Sequence, residues 1–218
     1  MVKIDQRYWR FFKTKYWNRL WEDLEIGYLD KQLLQLLIRL NMDLNIYTMS
    51  SCSGRIVFSD STYPWSREET SIVFKKHGFI DLNDILNIIG KKIIRRLWVN
   101  VSGPIIHLSV SKPSYIKLLL NIAHEAGLKH SGLISINKYK GFIIELMSGV
   151  KLSHLLKTPD KYITDTSELE TLVNIINEVL VQGEKYLNRL REIVNRKIPI
   201  EEDVEIIEDA KKRGIILY

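Results

Sequence analysis

The chain has 218 residues, 45% of them apolar and 27% charged, which suits one substantial core in a single domain over residues 1–218. No apolar run approaches the ~20 residues of a membrane span, and the aromatic, basic N-terminus lacks the separate apolar stretch of a signal peptide, so a cytoplasmic protein without a membrane is expected. One cysteine excludes an internal disulfide and a cysteine-rich zinc site, while a net charge of +6 permits nucleic-acid binding without requiring it.

Arg7 to Glu25 repeats Trp9, Phe12, Tyr16, Leu20 and Leu24 at helical spacing. Core packing is the expected role of the aromatics in this helix, with stacking on RNA bases as the other reading. Asp30 to Asp43 is a second amphipathic helix, with Asp30 placed to cap it. From Leu44 the period changes, and LNIYTMS, RIVFS and TSIVFKKH read as strands rich in β-branched and aromatic residues. Asp81 to Gly90 is a short helix ending at glycine. RRLWVNV and IIHLSV form a predicted hairpin around Ser102, Gly103 and Pro104.

Lys112 to Gly127 is a helix with proline near its start and glycine at its end. GLISIN and GFIIELM make another hairpin around Lys138, Tyr139 and Lys140. A long helix runs from about Ser167 to Asn195, opened by a Ser167–Glu170 capping box. Its heptad stripe of Leu169, Val173, Ile176, Leu180, Gly183, Leu187, Leu190 and Val194 points to packing along another helix or a partner chain. Ile200 to Gly214 reads as a short helix with acidic residues first and basic residues last, and the apolar tail IILY is expected to dock. The layout is α+β: a largely antiparallel sheet with interleaved and flanking helices, and three hairpin-like units that hint at an internal duplication.

No strand is followed by a G-x-G-x-x-G helix start and no G-x-x-x-x-G-K-S/T occurs, which disfavours a Rossmann nucleotide fold and a P-loop. His77, His107, His124, His130 and His154 show no metal-binding spacing, so no metal site is expected. The stretch Ser50, Ser51, Cys52, Ser53, Gly54 carries small side chains that leave backbone N–H groups open, and Arg55 adds a planar fork. Two readings stand: a cradle for a phosphate or carboxylate, and a plain hairpin turn. Cys52 by itself reads as a small buried hydrophobe, since reactivity needs a lowered thiol pKa.

On IIHLSV, Ile105, His107 and Ser109 share one face, where a histidine is ordinarily structural. His77 ends a strand, a position from which functional side chains emerge and also an ordinary solvent position. Ser131 and Gly132 lie between a helix end and a strand.

Tyr47 to Ile56, YTMSSCSGRI, resembles the hallmark of the tRNA wybutosine-synthesizing protein 3 family, whose pattern reads roughly T-x-S-S-C-S-G-R-I. Further elements are similar in order and spacing over about residues 5–195. They are Lys76–His77, the IIHLSV strand with His107, GLKHSGL with Ser131 and Gly132, the GFIIELM strand, and ELETLVNIINEVL with Asn177. Leu128 departs from the usual phenylalanine, and the loop DSTYPWSRE lacks the glycine-rich insert of many relatives.

The resemblance implies a distinct α+β fold and an S-adenosyl-L-methionine-dependent methyltransferase. Its target is N4 of the wyosine-type base at position 37, in the anticodon loop of phenylalanine tRNA; no DNA partner is implied. For such an enzyme the expectation is that Ser51, Cys52, Ser53, Gly54 and Arg55 hold a carboxylate of the cofactor or an RNA phosphate. Ser131 and Gly132 line the same pocket, and His107 or His77 accepts the proton or contacts the base edge. The alternatives are a non-catalytic basic RNA-binding accessory protein of tRNA modification and a hydrolase using Cys52.

Overall fold

The computed structural model describes residues 3–198 and 201–215. Helix α1 (Gln6–Glu25) opens the chain, with the Asp5 carboxylate accepting from the Arg7 and Tyr8 amides. Its buried stripe is Trp9, Lys13, Trp17 and Leu20, while Tyr8 and Phe11 are exposed. A single 3₁₀ turn (Lys31–Leu33) leads into α2 (Leu34–Asn41). Asp30 does not cap this helix, because its carboxylate is engaged elsewhere.

Eight strands follow, broken by helices. They are β1 (Ile46–Cys52), β2 (Arg55–Asp60), β3 (Ser71–Lys76), β4 (Leu97–Ser102), β5 (Ile105–Val110), β6 (Gly132–Asn137), β7 (Gly141–Met147) and β8 (Lys151–Lys157). Between β3 and β4 lies α3 (Leu82–Ile89), opened by a reciprocal Asp81–Asp84 capping box. Between β5 and β6 lies α4 (Pro113–Ala126), with proline in its first turn and the left-handed Gly127 at its end. After β8 come α5 (Leu169–Lys197) and α6 (Val204–Lys212). This is the expected α+β layout, and every strand pair is antiparallel.

The strands form two sheets rather than one, ordered β1-β5-β7-β6 and β3-β2-β4-β8. The expected β4–β5 hairpin is therefore absent, and so is the hairpin that was one of the two readings of the stretch between β1 and β2. Neither β1 and β2 around Ser53–Gly54, nor β4 and β5 around Gly103–Pro104, pair with each other; at each point the chain changes sheets. The β6–β7 hairpin forms as expected. Strand β8 was not legible from pattern, because KLSHLLK lacks the β-branched residues that marked the others.

The chain divides into two compact units. The first takes in the described residues of 1–53, 104–148 and 186–218, and the second those of 54–103 and 149–185. Each unit is assembled from separate segments, so no linker marks it in the sequence. In the first unit, Ile106, Leu108 and Val110 of β5 and Phe142, Ile144 and Leu146 of β7 pack with Leu36, Leu40, Leu119 and Ile122 of the helices. In the second, Ile56, Phe58, Val99 and Val101 pack with Ile85, Ile88, Leu169 and Ile176.

The heptad stripe of α5 goes into these two cores, where its neighbours include residues of other helices: Ile85 and Ile88 of α3 in the second, and Leu36 of α2 with Leu119 and Ile122 of α4 in the first. Leu169, Val173, Ile176 and Leu180 join the second core, and Leu187, Leu190 and Val194 join the first. The entry to α5 is a second departure: Asp165 accepts from the Ser167 amide and hydroxyl, in place of a Ser167–Glu170 box. Most of the tail IILY, residues 216–218, lies outside the described residues. Among the described residues no helix is long and apolar enough to cross a membrane.

Candidate active site

The first unit brings His107 into a chain of hydrogen bonds across its sheet. His107 on β5 pairs with Glu145 on β7, and Glu145 with Gly132 on β6. On the other side, β1 carries an irregularity between Thr48 and Ser51, so that Met49 and Ser50 together stand opposite the one residue His107. Such a bulge re-aims side chains. The Ser50 hydroxyl lies 2.8 Å from His107 Nδ1, and His107 Nε2 lies 2.8 Å from Glu145 Oε2. An ionised carboxylate only accepts, which places the ring proton on Nε2 and leaves Nδ1 to accept from Ser50. Ser50 is exposed while His107 and Glu145 are half-buried, so the serine is the outer end of the relay.

Glu145 was not among the expected site residues, and Ser50 entered only as part of the Ser50–Gly54 stretch, with no role beside His107. Glu145 had a signal: it is the one charged residue in the otherwise apolar strand GFIIELM. That Ser50 and Glu145 stand on either side of His107 had none, because cross-strand neighbours depend on register.

The SSCSGR segment is a crossover, so the reading of it as a hairpin turn is overturned. Ser53 is buried and fully engaged: its amide donates to Asp30 Oδ2 at 2.8 Å and its hydroxyl to the same oxygen at 2.9 Å. The anion that Ser53 holds is a carboxylate of the protein itself. Ser51 and Cys52 are half-buried, and Cys52 pairs with Ile105. Gly54 begins the second unit at φ +129°, and a Cβ there would stand 2.9 Å from the Ser102 carbonyl oxygen, so only glycine makes the turn. Arg55 follows with an exposed side chain at the start of β2. Ile56 pairs with Lys76, so Arg55 and His77 continue from one end of the same strand pair in the second unit.

Ser131 is also committed. Its hydroxyl donates to the Leu128 carbonyl at 2.7 Å and accepts from the Met147 amide at 3.0 Å, tying the end of α4 to β7. Gly132 differs: a Cβ built there meets nothing within 4 Å, so open space lies beside the residue paired with Glu145. The structure therefore gathers Ser50, His107, Glu145 and Gly132 on one sheet, and places Arg55 and His77 in the other unit.

In the first unit, the Ser50–His107–Glu145 chain of hydrogen bonds is an arrangement able to pass a proton from an exposed hydroxyl; in the second unit, Arg55 presents an exposed guanidinium of the kind that suits an anion. Histidine as a residue type accepts a proton near neutral pH, and a carboxylate on its far nitrogen stabilises the cation so formed.

Residues 12–196 match the model of the family described as Methyltransferase TYW3. A protein of Saccharolobus solfataricus named tRNA(Phe) 7-((3-amino-3-carboxypropyl)-4-demethylwyosine(37)-N(4))-methyltransferase is 39% identical over 188 residues, covering 86% of this chain and 90% of that protein. A protein of the same name from Aeropyrum pernix is 34% identical, over 75% of this chain and 87% of its own. Among solved structures, the PH1069 protein of Pyrococcus horikoshii superposes with a TM-score of 0.80 at 26% identity, covering 87% of this chain and 97% of that one.

Proposed function

Because this chain belongs to the Methyltransferase TYW3 family, we infer that it is a tRNA methyltransferase. We propose that it methylates N4 of the 4-demethylwyosine-type base at position 37, in the anticodon loop of tRNA(Phe), the reaction named for its relatives. The observation that carries this reading is the family match over residues 12–196, which contains the whole Ser50–His107–Glu145 relay.

The methyl donor in this reading is S-adenosyl-L-methionine, whose sulfonium supplies the methyl group and departs as a neutral thioether. One residue of the second unit fits such a partner: Arg55 presents an exposed fork of the kind that holds a carboxylate. As the ring nitrogen gains carbon it must lose a proton. Ser50 takes that proton at its hydroxyl oxygen while passing its own to His107 Nδ1, and Glu145 holds the imidazolium. Ser53 and Ser131 position: Ser53 anchors the crossover to Asp30, and Ser131 anchors β7. Proximity supplies much of the rate, because the leaving group is already good.

The test is transfer of label from S-adenosyl-L-methionine to tRNA(Phe) bearing the demethylated precursor. One methyl group per tRNA is expected, and none on tRNA lacking the precursor base. A folded protein that binds the donor and transfers nothing to that substrate would end this reading.

A paired substitution tests the SSCSGR segment. Arg55→Ala is expected to lower transfer on the order of ten- to a hundredfold, through loss of a charge-assisted contact. Arg55→Lys restores part of it, since an ammonium lacks the fork. Cys52→Ser keeps the small volume and is expected to stay active. A dead Cys52→Ser beside an active Arg55→Ala, both folded, moves the chemistry onto the thiol.

A further inference from the structure

The loop between β2 and β3, in the second unit, carries two aromatic rings laid face to face. Tyr63 and Trp65 have centroids 5.2 Å apart and planes 5° from parallel. Trp65 nevertheless remains 76% exposed. Tyr63 covers one face of the indole, so the exposure lies on the other face and the edges. A stack formed only to shelter apolar surface would not leave its larger ring in water.

The pair is held firmly. The buried Asp60 carboxylate accepts from the Ile94 amide at 2.7 Å and the Arg95 amide at 2.8 Å, fastening the end of β2 to the segment before β4. The Ser61 amide donates to the Arg96 carbonyl at 3.0 Å, and Arg96 Nη1 donates to the Thr62 carbonyl at 2.8 Å. The Ser61 hydroxyl donates to the Tyr63 carbonyl at 2.9 Å. Arg96 lies with Cζ 5.5 Å from the Tyr63 ring centroid, a cation–π contact.

The charge beside the stack is one-sided. The segment fastened to it, KKIIRR, carries Lys91, Lys92, Arg95 and Arg96 within six residues and no acid. Arg67 on the loop itself is exposed, as is Lys92. Of the two acids on the loop, Glu69 pairs with Arg95 at 2.8 Å, and Glu68 is exposed. A π-face open to solvent, on a loop pinned to a basic segment, matches a nucleobase with its phosphates.

We propose that Trp65, backed by Tyr63, with Arg96 against the Tyr63 ring and Arg67 on the same loop, is a stacking platform for an unpaired nucleotide of the RNA substrate. The proposal rests on the reading of the chain as a tRNA-modifying enzyme. It assigns RNA contact to a loop that no part of the proton relay uses.

The experiment measures equilibrium binding of a tRNA(Phe) transcript and of a short unstructured ribo-oligonucleotide to the whole protein and to Trp65→Ala and Trp65→Phe. Trp65→Ala is expected to weaken both complexes on the order of ten- to a hundredfold, the range for loss of one base–aromatic stack. Trp65→Phe keeps a π-face and is expected to stay within a few-fold of the parent. Binding of S-adenosyl-L-methionine should be equal in all three. Arg67→Gln should lower the salt slope of tRNA binding by about one, as loss of a phosphate contact does. Trp65→Ala that binds both RNAs as the parent does, while the parent still transfers methyl groups, overturns the platform and leaves the proposed function standing. Loss of methyl transfer by a parent that still binds RNA through Trp65 does the reverse. A Trp65→Ala that alters sedimentation of the protein alone, with RNA binding unchanged, identifies the stack as a contact between copies and also overturns the proposal.

Discussion

His107→Ala is expected to lower the single-turnover rate of methyl transfer by about 10²–10⁴-fold at saturating tRNA and donor, the usual range for a positioned proton acceptor. The imidazole is the only group in the relay with a lone pair poised on Ser50, at 2.8 Å, and a counter-charge behind it in Glu145. Without it the target nitrogen must lose its proton to water. Binding of S-adenosyl-L-methionine, read by calorimetry, should be unaffected, which separates proton transfer from folding and donor contact. Glu145→Gln keeps an acceptor oxygen but removes the charge, so it should slow the same step by less than His107→Ala. Ser50→Ala should fall between the parent and His107→Ala, since water can replace the hydroxyl. Parent-like transfer by a folded His107→Ala would remove the relay from the mechanism and return the role to His77, the other histidine considered.

Lys13→Met is expected to be the most damaging substitution for stability in the first unit. Lys13 is 0% exposed, midway along the buried stripe of α1. Its ammonium donates to the Asn41 carbonyl at 2.8 Å, the Ile46 carbonyl at 2.7 Å and the Asp43 carbonyl, and lies 3.1 Å from Asp203 Oδ2. It therefore ties α1 to the end of α2, the start of β1 and the cap of α6 at one point. Burial opposes ionisation of Asp203, but Arg10 and Lys13 outweigh it and hold the carboxylate below its usual range.

Removing one partner of such a buried cluster costs about 3–5 kcal/mol. At about 2–4 °C per kcal/mol for a chain of this size, the thermal midpoint should fall by roughly 6–20 °C. Burial also pushes the Lys13 ammonium down to about 8, with Asp203 pulling the other way, against an ordinary value of 10.5. Between those values the unfolded chain binds more protons than the folded one, so stability rises as pH climbs from about 8 to 10.5. Lys13→Met should abolish that rise. A melting midpoint within roughly 2 °C of the parent would show that the carbonyls find other donors.

The helices were legible because their information is local. Apolar residues three and four apart mark α1, α4 and α5, and Pro113 and Gly127 bracket α4 for reasons of backbone geometry alone. The family motif was legible for the same reason, as a contiguous run from Tyr47 to Ile56. Lys13 even left a trace, a charge at i+4 from Trp9 and i−4 from Trp17 on a buried face.

Tertiary structure decided the rest, because strand partners are distant in sequence. Whether β1 pairs with β2 or with β5 depends on which apolar faces share a core. That choice made crossovers between sheets of the predicted β4–β5 hairpin and of the SSCSGR stretch, for which a hairpin turn was one reading. It also set the register that brings Glu145 to His107 and, through a bulge, Ser50 to its other nitrogen. Asp30 could be read as a helix cap from its neighbours, yet its carboxylate receives the Ser53 amide and hydroxyl 23 residues away. Local pattern records the period of a segment and the conformations its residues favour; which groups satisfy one another's hydrogen bonds is settled only when segments far apart in the chain bury their faces together.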